Sequence, residues 1–300
     1  MDGHIRLLRE VAASTVTISA EIPSSHPSAS VLGTSRAGTG TVVDEAGTIL
    51  TVNYIVLGAN RVRVTDTAGN TYPAQLVAQD FATGVAAISI DPGRLAPLRC
   101  IDSHSVSAGQ DVFLLASVGG ADRRSACGFI VSVDPFDAYW EYSLERAIWV
   151  STINPGLGGA PLCDTHGRMI GVVSLNLGSI GRATLAIPSE HFFEHADELR
   201  RYGRRVSRPA RAWLGMFCYS LPGRTVVAGL VPGAPGETSG LAVGDIIVRV
   251  DEQQVTGRLQ LYQGIWQHKP GDTIEIKVFR NGRIEKVLIT GGDAEDFFAV

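Results

Sequence analysis

A few places in this sequence hold side chains of the kinds that do chemistry. Cys163 and His166 are close enough in sequence to pair a thiol nucleophile with an imidazole base. Yet Asp164-Thr165-His166-Gly167 reads as a hairpin turn, which carries the ring away from a strand-end cysteine, and no third group orients it. Such a cysteine is ordinarily a small core residue. His104 lies in the polar run Asp102-Ser103-His104-Ser105, the composition of a surface turn. His191 and His195 are one helical turn apart, as metal ligands can be, but no glutamate takes the second place of an HExxH motif and a solvated helix face is the expected role. Cys100, Cys127, Cys163 and Cys218 include no CxxC pair. Neither a zinc site nor a dense disulfide framework is expected, and no metal or cofactor.

The elements that must position these groups are mostly strands. Thr15–Ser19, Gly40–Val43 and Thr48–Val52 are short β-branched runs, with Asp44-Glu45-Ala46-Gly47 as the hairpin turn between the last two. Arg61–Thr65 alternates with period two and turns through Asp66–Asn70 into Tyr72–Val77. A second series follows in Val112–Ala116, Gly128–Val133, Ile148–Val150 and Met169–Leu175, so the pattern predicts two barrels or a sandwich. Ser24–Gly38, rich in Ser, Pro, Ala and Gly, predicts a mobile surface loop. The first clear helix is expected late, with Ser189 as N-cap, Glu190 and Glu194 near its positive end, and Arg200-Arg201 before Gly203 at the other. The basic stretch Arg204–Arg211 reads as an exposed linker to a last module of about eighty residues. There Leu259–Gln267 suits a short helix, and Thr273–Phe279 alternates before the Asn281-Gly282 turn.

Composition narrows the partners. Three hundred residues, 45% hydrophobic and with 34 glycines, make a globular, turn-rich chain of two or three domains. A net charge of -4 offers no general field for nucleic acid, so none is expected as a partner. The longest charge-free run, Ala147–Cys163, contains Asn154-Pro155-Gly156, which rules out a spanning helix there; no membrane segment is expected. The start Met1–Arg6 lacks a basic segment followed by an apolar core, which predicts no signal peptide and, by default, a cytoplasmic location.

Several motifs carry a resemblance. Gly38-Thr39-Gly40 is followed by Thr51-Val52-Asn53-Tyr54-Ile55-Val56, then by Asp80-Phe81-Ala82-Thr83-Gly84-Val85-Ala86-Ala87 and Ile153-Asn154-Pro155-Gly156-Leu157-Gly158-Gly159-Ala160-Pro161-Leu162. The last module has Leu214-Gly215-Met216, Val231-Pro232-Gly233-Ala234-Pro235-Gly236, Gly240-Leu241 and Gly244-Asp245-Ile246-Ile247. From Val11 to Gly292 the chain resembles the HtrA (high-temperature-requirement) family of trypsin-like serine proteases. The resemblance implies a mainly β fold: a trypsin-like double six-stranded antiparallel β-barrel over residues 1–203, its barrels meeting near 105–110, a linker at 204–211, a small α+β PDZ domain at 212–292 and an acidic tail at 293–300.

The same resemblance marks where catalytic side chains would stand. Tyr54 occupies the position of the histidine in the family's T-N-x-H-V-V pattern, Gly84 that of the aspartate in D-x-x-x-D-L-A-V, and Gly158 that of the serine in I-N-P-G-N-S-G-G-P-L. A serine attacks a carbonyl only when an imidazole takes its proton and a carboxylate orients that imidazole. A phenol of pKa about 10 is a poor base, glycine is no nucleophile, and losing triad groups costs serine proteases on the order of a millionfold in rate. The expectation is a pseudoprotease with no catalytic residue. Gly156, Leu157 and Gly158 remain either a residual oxyanion loop or a relaxed loop in which Leu157 fills the former cleft. In the PDZ module, Leu214, Gly215 and Met216 would form the carboxylate-binding loop, the strand from Phe217 would accept a peptide edge-on, and Leu259, Tyr262 and Ile265 would line the pocket for its last residue.

The function expected is therefore an inactive HtrA-like homologue that binds peptides or unfolded segments as an adaptor, chaperone-like holder or regulator. The alternatives are an active serine-type endopeptidase with unconventional residues and a purely structural scaffold. Expected partners are C-terminal or extended hydrophobic peptide segments, active family relatives, or the chain's own tail, which ends in Phe297-Phe298-Ala299-Val300. A homo-oligomer stays open, since the family's trimers use an aromatic-bearing N-terminal segment and Met1–Pro23 has no aromatic residue.

Overall fold

The computed structural model describes residues 2–178 and 183–299, which form two units. The first comprises the residues up to Ser24, then Leu32–Pro135 and Leu144–Val206. Its strands β1 (Thr15–Glu21), β2 (Ser35–Val42), β3 (Thr48–Val52), β4 (Arg61–Thr65), β5 (Thr71–Asp80) and β6 (Val85–Ser89) close a barrel in the order β1-β2-β3-β6-β5-β4. A second barrel follows from β7 (Asp111–Gly119), β8 (Asp122–Asp137), β9 (Ser143–Val150), β10 (Pro161–Asp164), β11 (Met169–Asn176) and β12 (Thr184–Pro188), ordered β10-β11-β12-β9-β8-β7. β-Branched residues face the interiors: Ile18, Ile49, Val64 and Ile88 are buried in the first, Ile130, Ile148, Ile170 and Val173 in the second. Gly40 lets β2 close on its neighbours, because a Cβ there would sit 2.5 Å from Ile49 Cγ2 and 2.8 Å from Ile18 Cδ1.

One guanidinium is among the ties between the two barrels. Arg123 of β8 donates to the carbonyls of Thr15 at 3.0 Å and Thr65 at 2.9 Å and to Thr17 Oγ1 at 2.9 Å. These are three acceptors from β1 and β4 satisfied by one planar fork.

Three local expectations are corrected. The first helix is α1 (Asp2–Ser14), well before Ser189. Leu7 and Val11 lie on one face of it, four residues apart, and pack on the Gly167 turn; Thr15 Oγ1 donates to Val11 O at its end. Ser24–Gly38 is no free loop: it holds α2 (Ala29–Leu32) and the start of β2, and residues 25–31 belong to the second unit. There His26 Nε2 bonds the Phe298 carbonyl at 3.1 Å. After α3 (Asn53–Val56), the late helix arrives in two pieces, α4 (Glu190–Phe193) and α5 (Ala196–Tyr202). Ser189 makes no side-chain cap, whereas Gly203, with φ 73°, closes α5 as expected by donating to Leu199 O.

The second unit comprises Ser25–Val31, Phe136–Ser143 and the chain from Ser207. Its sheet runs β13 (Met216–Leu221), β14 (Arg224–Leu230), β15 (Ile246–Val250), β17 (Thr273–Arg280) and β18 (Arg283–Thr290), with the short β16 (Gln253–Gln254) on β15. Helices α6 (Pro235–Thr238), α7 (Arg258–Ile265) and α8 (Ala294–Phe297) complete it. Ile274, Ile276 and Val278, alternating along β17, meet Leu261, Tyr262 and Ile265 of α7 in one buried core. Among the described residues no helix is long and apolar enough to cross a membrane.

Candidate functional site

Tyr54 is the second residue of α3, and Arg36 pins that turn by donating to the carbonyls of Tyr54 at 3.0 Å and Leu57 at 2.9 Å. The Asn53 N–H donates to Gly84 O at 2.9 Å, so Gly84, with φ 77°, lies beside the residue that precedes Tyr54. From the second barrel comes Gly158. A Cβ added there would overlap the Tyr54 hydroxyl. That hydroxyl donates to Ser174 O at 2.8 Å, and burial pushes its pKa up to about 12. Around it the Gly156–Gly159 backbone is bound inward. Leu157 N–H donates to Ser117 O at 2.8 Å, Gly156 N–H to Asn154 Oδ1 at 3.3 Å, and Gly159 N–H to Val173 O at 2.7 Å. Thr39 N–H reaches Gly158 O at 2.7 Å, and Thr39 Oγ1 reaches Leu157 O at 2.8 Å. Leu157 itself is half-buried.

The other reactive candidates lie apart from one another. Cys163 is fully buried, which pushes its thiol up, while His166 is 75% exposed on the turn that Asp164 organises. His104 is exposed and bonds Asp102 at 2.7 Å. Asp102, His104 and Glu190 bring possible ligand atoms within 4.8 Å, but Arg146 already bonds Glu190 at 2.6 Å and supplies the cation. His191 and His195 fall on either side of the break between α4 and α5, so they share no single helix face.

In the second unit the loop before β13 is full. Gly215 takes φ 76°, which turns the N–H groups of Leu214 and Met216 the same way. Both point at the Glu141 carboxylate: Leu214 N is 3.1 and 3.0 Å from its two oxygens and Met216 N is 3.0 Å from one. The residues before Glu141 lie along β13, with Trp140 bridged antiparallel to Phe217 and the Cys218 N–H donating to Tyr139 O. From α7, Tyr262 Oη donates to Ala138 O at 3.0 Å, and Arg258 bonds Asp137 Oδ2 at 2.9 Å and Asp137 O at 3.1 Å. Ile265 is buried in the core and Leu259 is 37% exposed. The tail is elsewhere: Phe297 and Phe298 pack tilted and edge-on against Trp213 at 4.9 and 5.6 Å between centroids, and Val300 lies outside the described residues. The expectation that the tail fills this groove is thus corrected, because the loop N–H groups are already bonded to Glu141.

A trypsin-like peptidase domain model matches residues 38–172 and a PDZ domain model residues 205–290. A Halomonas elongata protein named probable periplasmic serine endoprotease DegP-like is 31% identical over 86% of this chain and 57% of its own length. The chain belongs to the HtrA family. A DegP-like relative from Pseudomonas savastanoi pv. phaseolicola is 26% identical over 99% of this chain and 64% of its own, and the Bacillus subtilis serine protease Do-like HtrA is 27% identical over 78% and 58%. This HtrA chain thus spans less than two thirds of these relatives. Solved structures agree on the fold: the HtrA-type protease AlgW with a decapeptide superposes with TM-score 0.57 at 23% identity, covering 97% of this chain and 98% of that one. The mainly β double barrel with a PDZ domain is therefore established. The cytoplasmic expectation is overturned, since relatives from Halomonas, Marinomonas and Pseudomonas are named periplasmic.

Glu141 and its neighbours are the residues that sequence reasoning missed. A signal was present. Phe136, Tyr139, Trp140 and Tyr142 put four aromatics into seven residues, against 7% for the chain, from the end of β8 to the start of β9.

Proposed function

We propose that this HtrA chain binds peptide segments through its PDZ domain and does not cleave them by the serine mechanism. The observation that carries the reading is the Tyr54 hydroxyl resting where a Gly158 side chain would stand. No hydroxyl nucleophile exists at that position, and a phenol raised to about 12 with its proton committed to Ser174 O is no base at neutral pH. The inward bonds of Gly156 and Leu157 favour the relaxed loop over an oxyanion cradle. Peptide binding rests on the PDZ loop and strand edge, a pair of features that receives a carboxylate and an extended backbone. As an adaptor, holder or regulator, the chain would work in the periplasm, where its relatives are named. The test is incubation of the full chain with unfolded casein and with a serine-reactive phosphonate. Neither fragments nor labelling should exceed those of a heat-unfolded control. Cleavage by the purified chain would restore the active-endopeptidase reading.

A further inference from the structure

A PDZ groove open to partners presents unused N–H groups at its loop and an unpaired strand edge. Here both are used by the chain itself. Glu141 is buried, and a buried carboxylate is tolerable only where donors surround it. Its donors are the N–H groups of Leu214 and Met216, which a terminal carboxylate would otherwise use. Residues 137–141 run toward that loop and antiparallel to β13, as an added peptide strand does. Both walls of the groove grip the segment: Tyr139 packs on Phe217 and Tyr219 of β13 at 6.0 and 6.3 Å, and Arg258 and Tyr262 of α7 bond Asp137 and Ala138. A bond from Ala138 N–H to Tyr142 O at 3.0 Å folds the segment back immediately after Glu141. That reversal lets a side-chain carboxylate reach where a chain end otherwise would.

We propose that residues Asp137–Glu141 are a built-in competitor for the PDZ groove, in which the Glu141 side chain stands in for a peptide's terminal carboxylate. A partner with a free C-terminus binds only by displacing it. The proposal rests on the peptide-binding reading and adds its regulation. An attached competitor acts at a local concentration of about millimolar, and a partner's apparent dissociation constant is its intrinsic one divided by the small fraction of grooves that stand open. The groove therefore answers only to ligands that are strong or abundant, and whatever draws the segment out primes it.

The test uses the full chain and a fluorescein-labelled peptide, Val-Asp-Pro-Phe-Asp-Ala-Tyr-Trp with a free terminal carboxylate, which repeats the backbone already seated in the groove; its C-terminal amide is the control. Fluorescence anisotropy should show Glu141→Gln and Asp137→Ala binding the acid at least about tenfold more tightly than the unchanged chain. The amide should stay weak on all three. Asp137→Ala, at the far end from the loop, keeps the comparison informative if Glu141→Gln does not fold. Equal affinity in the unchanged chain and the variants overturns the competitor while leaving peptide binding intact. Absence of binding by every form overturns both.

Discussion

At Gly158 a single hydrogen stands where a side chain would collide with the Tyr54 hydroxyl. Gly158→Ser should therefore cost about 1–3 kcal/mol by overpacking, and Tyr54→His in the same chain should recover much of that by removing the phenol. Urea titrations of the single and double variants measure the coupling; additive losses would mean that the two positions do not share the space. Glu141 gives a second residue-scale expectation. Burial raises its docked pKa to about 7, against the N–H bonds of the loop and the charge of Arg211, which pull it down. Undocked, it returns to about 4.3. The docked form thus holds more protons between those values, so docking is strongest below the lower value and weakens as pH rises toward 7. Cys218 and Tyr262 face the same carboxylate and are themselves raised, so they stay neutral across this window, and Arg258 faces Asp137. The labelled peptide should accordingly bind more tightly at pH 8 than at pH 5.5. The opposite trend would show that the buried carboxylate is not what closes the groove.

Elements hold these residues in place through few, well-defined ties. Arg123 on β8 serves acceptors on β1 and β4, and desolvation by burial lowers its pKa without neutralising it. Arg123→Ala would leave those acceptors without their donor and should destabilise the barrels by roughly 2–4 kcal/mol. Arg123→Lys should recover only part of it, since an ammonium cannot fork to separated oxygens. Chemical denaturation followed by tryptophan fluorescence checks both. The strand elements were legible because Arg61–Thr65 and Thr273–Arg280 alternate cleanly between buried and exposed positions. α1 was not, because its apolar face is only a few residues wide and its burial depends on the Gly167 turn, far away in sequence. The split between α4 and α5 was hidden for a similar reason: good capping residues at both ends say nothing about the turn between them.

At the scale of the whole chain, order in sequence and membership of a unit part company. Residues 136–143 precede the linker by more than sixty positions yet belong to the second unit. Trypsin nicking within the arginine-rich stretch Arg204–Arg211, where Arg204 is exposed, should therefore leave two fragments that co-elute in gel filtration at pH 6. In Glu141→Gln they should part more readily, with the His26–Phe298 contact still joining them. Release of the C-terminal fragment from the unchanged chain would show that the docked segment is too weak to matter. Sequence alone determined the fold class, the order of trypsin-like barrels and PDZ module, and the identities Tyr54, Gly84 and Gly158, because strand periodicity, turn residues and short motifs are local properties of the chain. Only tertiary structure decided that Tyr54 covers Gly158 and that Glu141 fills the Leu214–Met216 loop. Each joins residues some seventy or more positions apart, and a free N–H finds its acceptor by position in space, which no local pattern records.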